Sequence, residues 1–270
     1  MGDFYVPHAF SNIDAHPYPV RLVNALFRLR TEAFFVSYKQ RLRHLLRAQP
    51  GRRFLDVGAG TGDAARELAE ESGAQVVACD LSRIMCETMK HTGLRQVAVA
   101  DSHRLPFKGA AFEGAWADRV LQHVEDPDRV LEEMLRVVRP GGRIVVCDPD
   151  TATQALNIED HRLAARILGL RQTASIRHGT FARRVPGILA ARGLLDVQVE
   201  PHTLVVRDKR TVDDTMGIRD WADVFADRGY IDRTEARRFN TLLDHAIESG
   251  QFLYSVTYFL TSATTPAIGG

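Results

Sequence analysis

Three aspartates and one histidine are the side chains of this sequence that could do chemistry together. Asp80, Asp101 and Asp148 each follow a short apolar run, and His123 lies between the second and third of them. An ionised carboxylate only accepts hydrogen bonds and can hold two neighbouring hydroxyl groups, such as those of a ribose. Histidine takes up a proton near neutral pH, and a carboxylate beside it raises its basicity. These residue types predict a site that binds a nucleoside-like ligand and removes a proton.

A glycine-rich turn is the most informative pattern in the chain. Residues 54–57 are predicted to form a buried strand, and a helix is predicted from about Asp63. Gly58, Gly60 and Gly62 let the backbone turn sharply and approach a ligand closely. The turn lies at the carboxyl end of a strand, where doubly wound α/β sheets bind their ligands. Its glycine spacing differs from the dinucleotide fingerprint, because Asp63 stands where the last glycine of that fingerprint would be.

Alternating strands and helices are predicted to position these residues. Apolar residues at helical spacing follow residue 127. Because the carboxyl ends of parallel strands meet at one edge of a sheet, the three aspartates and the histidine are expected at that edge. Two alternatives stay open: Asp80 could cap a helix together with Ser82, and Asp101 could start a turn. The predicted strands are 54–57, 75–80, 96–101, 112–118 and 143–148.

This set of motifs resembles the class I S-adenosylmethionine (SAM) dependent methyltransferases, in particular the ubiquinone- and menaquinone-biosynthesis-like group of small-molecule methyltransferases. The resemblance covers residues 54–148 and includes the phrase L-R-V-V-R-P-G-G-R-I-V-V at 135–146. It implies an α/β, Rossmann-like fold with a seven-stranded, mostly parallel sheet and an antiparallel last strand. It also implies SAM as the cofactor, bound at the motif positions Asp56, Gly58, Ala59, Gly60, Asp80, Leu81, Asp101, Ser102 and Arg119.

The resemblance further implies a catalytic pair and a lid. Some sugar O-methyltransferases of this family have histidine and aspartate at the positions of His123 and Asp148, which would make His123 the base. The alternative is that His123 only packs or caps. In this family the N-terminal segment often covers the cofactor. From there Tyr5 and Tyr18 would bind the SAM carboxylate or orient an acceptor, and simple packing is the alternative role for both tyrosines.

The chain is expected to form one core with helical additions. Residues 1–50 would be an N-terminal helical lid, and residues 51–150 the SAM-binding core. Residues 151–180 and 211–249 would form a helical substrate cap inserted into that core. Residues 181–210 and 250–264 would complete the core, with the last strand between the fifth and the sixth.

Composition limits the expected partners. The chain has 270 residues, 45% of them hydrophobic, and a formal net charge of +1, so no global field attracts nucleic acid. Its three cysteines, Cys79, Cys86 and Cys147, show no metal-ligand spacing, and no metal is expected. No apolar stretch is long enough to span a bilayer, and the expected location is the cytoplasm. The expected partner is a small-molecule substrate, while the sequence leaves a homo-oligomer open.

The expected function is transfer of the SAM methyl group to a small organic acceptor of the natural-product, sugar or quinone type. His123 and Asp148 favour oxygen slightly over nitrogen as the acceptor atom, because a hydroxyl group benefits from a base. Two alternatives stay open: a SAM-binding enzyme that transfers no methyl group, such as a cyclase, and an NAD(P)-dependent oxidoreductase. The glycine spacing and the phrase at 139–142 speak against the oxidoreductase.

Overall fold

A seven-stranded sheet forms the centre of the protein, which the computed structural model describes from residue 9 to residue 267. The strands are β1 (Arg53–Val57), β2 (Gln75–Asp80), β3 (Val97–Val99), β4 (Phe112–Asp118), β5 (Val138–Asn157), β6 (Leu195–Val206) and β7 (Leu253–Thr264). In space they follow the order β3-β2-β1-β4-β5-β7-β6. Strands β1 to β5 are parallel, and β7 lies antiparallel between β5 and β6. This order confirms the predicted α/β fold, including its antiparallel last strand.

Helices cover both faces of the sheet. They are α1 (Pro19–Leu29), α2 (Ala33–Leu46), α3 (Asp63–Ser72), α4 (Arg83–His91), α5 (Pro127–Val137), α6 (His161–Leu170), α7 (Val185–Ala191), α8 (Ile218–Asp227) and α9 (Arg233–Glu248). Ser82, Asp126, Asp160 and Asp232 cap α4, α5, α6 and α9, each accepting a hydrogen bond from a backbone N–H in the first turn. Over residues 9–267, no helix is both long and apolar enough to cross a membrane.

The core lies in two layers, one on each side of the sheet. Alternate residues of a strand point to opposite faces. Phe54 and Trp116 belong to the larger cluster, which includes residues of α2, α3, α6, α8 and α9. Leu55 and Val57 belong to the second cluster, with residues of α5 and α7. The central strands are therefore buried on both faces, as in other parallel sheets covered by helices.

Strand β5 is longer than predicted and extends into the region that was predicted to begin a helical substrate cap. The sequence suggested a strand over 143–148 and helical structure from residue 151, whereas β5 continues to Asn157. Residues 155–157 lie opposite residues 253–255 of β7. Local spacing could not predict this extension, because its partner strand lies far away in the sequence. The first described helix of the cap region, α6, begins only at His161.

The described part of the N-terminal region forms two helices. The chain turns at residues 30–32, which separates α1 from α2. Helix α2 packs on the sheet through Phe35, Tyr38 and Leu42, which are almost completely buried. This packing also brings Lys39, the next residue after Tyr38, to the carboxyl edge of the sheet.

Candidate functional site

A cavity of about 600 Å³ lies at the carboxyl edge of the sheet, where β1, β2 and β4 end. Its walls include the glycine turn after β1, the segment between β3 and β4, part of the loop after β4, and residues 10–13. We call residues 119–126 the β4 loop and residues 10–16 the lid segment. Asp80, Asp101 and His123, three of the four residues expected at this edge, line the cavity.

The glycine turn brings the backbone against the β4 loop. Gly58 has a φ of +67°, and a Cβ atom at this position would lie 2.6 Å from Cγ2 of Val120. Gly60 has a φ of +57°, and its N–H donates to Oδ2 of Asp80 at 2.9 Å. L-residues with a side chain avoid such backbone conformations. Gly58, Ala59 and Gly60 all line the cavity, so the turn exposes backbone to whatever fills it.

Asp80 presents its carboxylate to the cavity from the end of β2. The N–H of Ser82 donates to Oδ1 at 2.9 Å, and the N–H of Gly60 donates to Oδ2. A carboxylate has about four lone-pair sites, so both oxygens keep acceptor capacity for hydroxyl groups. Burial raises the pKa of Asp80, and these two hydrogen bonds oppose the shift. Leu81 lines the same wall.

Asp101, Ser102 and His103 form the wall that follows β3. Nδ1 of His103 lies 2.6 Å from Oδ1 of Asp101, and Nε2 accepts a hydrogen bond from the N–H of Asp126 at 3.1 Å. The second bond assigns the proton of the neutral ring to Nδ1, so His103 donates to Asp101. His103 was not among the predicted site residues, but it holds the carboxylate of Asp101, which was.

Four charged side chains line another part of the cavity, and of these only Asp56 and Arg119 were predicted site residues. Asp118 ends β4, accepts a hydrogen bond from the hydroxyl of Tyr38 at 2.9 Å, and lies 3.4 Å from Nζ of Lys39. Nε of Arg119 lies 3.9 Å from Oδ1 of Asp118. Burial, followed by the negative charge of Asp118, raises the pKa of Asp56 well above its usual range. Two carboxylates and two cations therefore line this part of the cavity.

His123 lines the cavity, but Asp148 does not. The half-buried ring of His123 lies 5.7 Å from the ring of Phe10, measured between centroids. Asp148 is 1% exposed and accepts hydrogen bonds from the N–H groups of Leu121 at 3.3 Å and Gln122 at 3.5 Å. The predicted role of Asp148 beside His123 is corrected accordingly: its carboxylate lies behind the β4 loop and holds the backbone that carries His123.

The structure describes only one of the two predicted tyrosines, Tyr18. Tyr18 is 43% exposed, lies outside the cavity wall, and has the guanidinium of Arg21 over its ring at 4.8 Å. Tyr5 lies outside the described residues. The lid segment instead contributes Phe10, Ser11, Asn12 and Ile13 to the wall. Within the described part of the chain, no group of three or more His, Cys, Asp or Glu residues could hold a metal ion.

Known proteins share both the sequence and the fold. A family described as a methyltransferase domain matches residues 55–146. An uncharacterized 37.1 kDa protein in transposon TN4556 of Streptomyces fradiae is 30% identical over 251 residues, which cover 90% of this chain and 72% of that protein. The demethylmenaquinone methyltransferase of Corynebacterium efficiens is 39% identical over 114 residues, covering 42% of this chain and 49% of that enzyme. The chain thus aligns with about half the length of this second relative.

Solved structures agree on the fold. Phosphoethanolamine N-methyltransferase 2 of Haemonchus contortus, in complex with phosphomonomethylethanolamine and S-adenosylhomocysteine (SAH), has a TM-score of 0.60 at 17% identity and covers 95% of this chain and 60% of that one. The [4+2]-cyclase SpnF has a TM-score of 0.56 at 21% identity and covers 86% of this chain and 81% of that one. Together with the glycine turn and the cavity that it lines, these similarities lead to one assignment: the chain belongs to the class I SAM-dependent methyltransferases, and its cofactor is SAM.

Proposed function

We propose that this protein transfers the methyl group of SAM to an oxygen atom of a small organic acceptor, and that His123 takes the proton of the acceptor hydroxyl. The observation that carries this proposal is the position of His123. It lines the cofactor cavity on the loop that follows β4, and Asp148 holds that loop from behind. When bound, SAM supplies an electrophilic methyl group on a sulfonium.

The charges of the cavity support one orientation of the cofactor. Asp80 would accept hydrogen bonds from the ribose hydroxyls, and Asp101 and Ser102 would lie beside the adenine. The ammonium and carboxylate of the methionine part carry opposite charges. The site therefore needs both signs at that end, where Asp56 and Asp118 lie with two cations. These cations, Lys39 and Arg119, would bind the carboxylate.

In this orientation the sulfonium would lie between the two ends, next to the β4 loop. His123 lines the cavity on that loop, while Val120 and Val124 add apolar surface around it. A base that lies in hydrogen-bond reach of a hydroxyl can remove its proton as the oxygen attacks. Holding the acceptor in line with the methyl group would supply much of the remaining acceleration.

The size and charge of the site favour a small acceptor. A volume of about 600 Å³ is within the range typical of small-molecule sites. The net charge of +1 offers no general attraction for nucleic acid. Acceptors of the natural-product, sugar or quinone type fit a cavity that combines apolar side chains with a histidine.

The proposal is tested with methyl-labelled SAM and a panel of phenols, glycosides, quinols and amines, followed by mass spectrometry of the products. We expect label on an oxygen atom. His123→Ala should lower kcat on that acceptor by about 10²–10⁴-fold while the affinity for SAH stays unchanged. His161→Ala, an exposed histidine on α6, is the matched control and should leave kcat unchanged. Normal turnover by His123→Ala would remove His123 from the mechanism, and label on nitrogen would overturn the assignment to oxygen.

A second candidate is an enzyme that binds SAM without transferring its methyl group. The observation that favours it is the similarity in fold to the cyclase SpnF over most of the chain. The same motifs would serve both functions. Unlabelled products formed from an acceptor in the presence of bound SAM would support this candidate.

A further inference from the structure

We propose that Asp14 is a positioning residue that fastens the lid segment to the N-terminus of α4, so that closure of the lid and retention of the cofactor are coupled. This coupling concerns the cofactor alone, whichever atom accepts the methyl group and whether or not His123 is the base.

The lid segment forms one wall of the cavity. It consists of two short 3-10 turns, and the side chain of Asn12 accepts a hydrogen bond from the N–H of Ala15 at the start of the second. Phe10, Ser11, Asn12 and Ile13 line the cavity. A ligand of the size of SAM, bound between Asp80 and Asp118, would therefore be covered by this segment.

Asp14 binds the start of α4 through three donors. Its Oδ2 accepts from the N–H of Arg83 at 2.8 Å, and its Oδ1 accepts from the N–H of Ile84 at 3.3 Å and from the hydroxyl of Ser82. The first N–H groups of a helix have no partner within the helix, and a negative charge is favoured there. A carboxylate from the lid segment thus serves as an additional cap of this helix.

Ser82 connects Asp14 to the cofactor carboxylate. Its hydroxyl donates to Asp14, its backbone N–H donates to Oδ1 of Asp80, and its Oγ accepts from the N–H of Met85 at 3.2 Å. Asp80 in turn accepts from the N–H of Gly60. A continuous chain of hydrogen bonds therefore runs from the lid segment through Asp80 to the glycine turn.

A second contact fastens the other end of the lid segment. The hydroxyl of Ser11 donates to the backbone carbonyl of His123 at 2.8 Å. Between the two contacts, Ile13 packs in a small cluster with Leu22, Val23 and Met85, separate from the two main cores. Segments with few buried apolar contacts open locally at a low cost in free energy. The lid segment therefore depends on these polar contacts to stay closed.

Closure and cofactor binding are then linked. A ligand that binds the closed state better than the open state shifts the population towards closure. By the same linkage, a change that favours the open state speeds the release of the ligand. Because the charged cap of Asp14 exists only while the lid segment is closed, its removal weakens the closed state directly.

The test measures SAH alone, by stopped-flow dissociation and calorimetry, on wild type and Asp14→Ala. We expect SAH to dissociate about ten-fold faster from Asp14→Ala, the effect of losing one charged helix cap. Hydrogen exchange should show that SAH protects residues 10–16 in wild type and protects them less in the variant. Asp232→Ala removes a comparable aspartate cap, that of α9, and should leave SAH dissociation unchanged.

Two further variants separate positioning from general destabilisation. Asp14→Asn keeps one acceptor oxygen and should restore part of the slow dissociation. Ser11→Ala should speed dissociation without touching α4. Unchanged SAH dissociation in Asp14→Ala, with unchanged exchange in residues 10–16, would overturn the proposal. Equal acceleration by Asp232→Ala would also overturn it. Wild type that fails to bind SAH would instead contradict the cofactor assignment.

Discussion

Replacing Gly58 with alanine tests whether the glycine turn must lie against the β4 loop. Gly58 has a φ of +67°, and a Cβ atom there would lie 2.6 Å from Cγ2 of Val120 and 3.0 Å from its Cγ1. Valine is stiff about χ1 and cannot turn both methyl groups away. The left-handed backbone costs alanine about 1–2 kcal/mol, and overpacking costs about 1–3 kcal/mol more. Gly58→Ala should therefore lower the free energy of unfolding by about 2–5 kcal/mol.

Gly51 provides the matched control. It has a φ of +73°, and a Cβ atom there would have no other atom within 4 Å. Gly51→Ala should therefore lower the free energy of unfolding by only about 1–2 kcal/mol, the cost of a left-handed backbone for alanine. Urea unfolding followed by circular dichroism measures both variants. Calorimetry with SAH should show weaker binding by Gly58→Ala, because a displaced Val120 moves the β4 loop, and normal binding by Gly51→Ala.

A double variant locates the cause of the loss. Val120→Ala removes the two methyl groups that the new side chain would meet. Adding Gly58→Ala to Val120→Ala should then cost only the backbone share of about 1–2 kcal/mol. Equal losses of stability in Gly58→Ala and Gly51→Ala would refute the close packing of Gly58 on Val120. So would a loss of about 2–5 kcal/mol when Gly58→Ala is added to Val120→Ala, because that is the loss expected with Val120 present.

Two further predictions concern the buried carboxylates. The affinity for SAH should fall as the pH falls towards the usual aspartate pKa of about 4. Burial and the charge of Asp118 raise the pKa of Asp56 in the free protein, so its carboxyl group takes up a proton as the pH falls. The ammonium of SAH favours the ionised form of Asp56, which is lost in that change. Binding should then release protons, which calorimetry in buffers of different ionisation enthalpy detects; an affinity independent of pH would contradict this. Asp148→Asn should keep kcat within about three-fold, because Asp148 does not line the cavity. Burial, followed by the charge of Asp118, raises the pKa of Asp148 and so favours its neutral form, which asparagine resembles. A loss as large as that of a catalytic base, about 100-fold or more, would restore Asp148 as the partner of His123.

The parts of the site that depend on local pattern could be predicted from the sequence. The glycine turn and Asp80 lie at the end of buried strands, and both the strand and the turn have local signals in residue type. The predicted strand at 112–118 matches β4 residue for residue. The placement of the last strand, antiparallel between the fifth and the sixth, followed from the family resemblance, and the structure confirms it.

The face of the sheet on which Asp148 lies could not be predicted from the sequence. The sequence placed Asp148 next to the end of β4 but said nothing of the face of the sheet on which it lies. Side chains alternate along a strand. Val146 packs in the cluster that contains Leu55, whereas Cys147 packs with Trp116 on the other face. Asp148 continues the face of Val146, while Asp118 continues the face of Trp116, and only Asp118 of these two lines the cavity.

The remaining site residues depend on contacts between distant parts of the chain. Lys39 and Tyr38 lie on α2, before any motif, and reach Asp118 only because α2 packs on the sheet. Asp14 and Ser11 meet α4 and the β4 loop in the same way. No local pattern marks such residues.

The most direct test of the account is the affinity for SAH of wild type, Asp80→Ala and Asp232→Ala, measured by calorimetry. Asp80 is expected to hold two ribose hydroxyls, and each hydrogen bond to a charged group contributes about 1.5–3 kcal/mol. Asp80→Ala should therefore bind SAH about 100-fold more weakly or worse, while Asp232→Ala binds like wild type. Equal affinity in all three proteins would contradict the account, because it would mean that the cofactor binds away from this cavity.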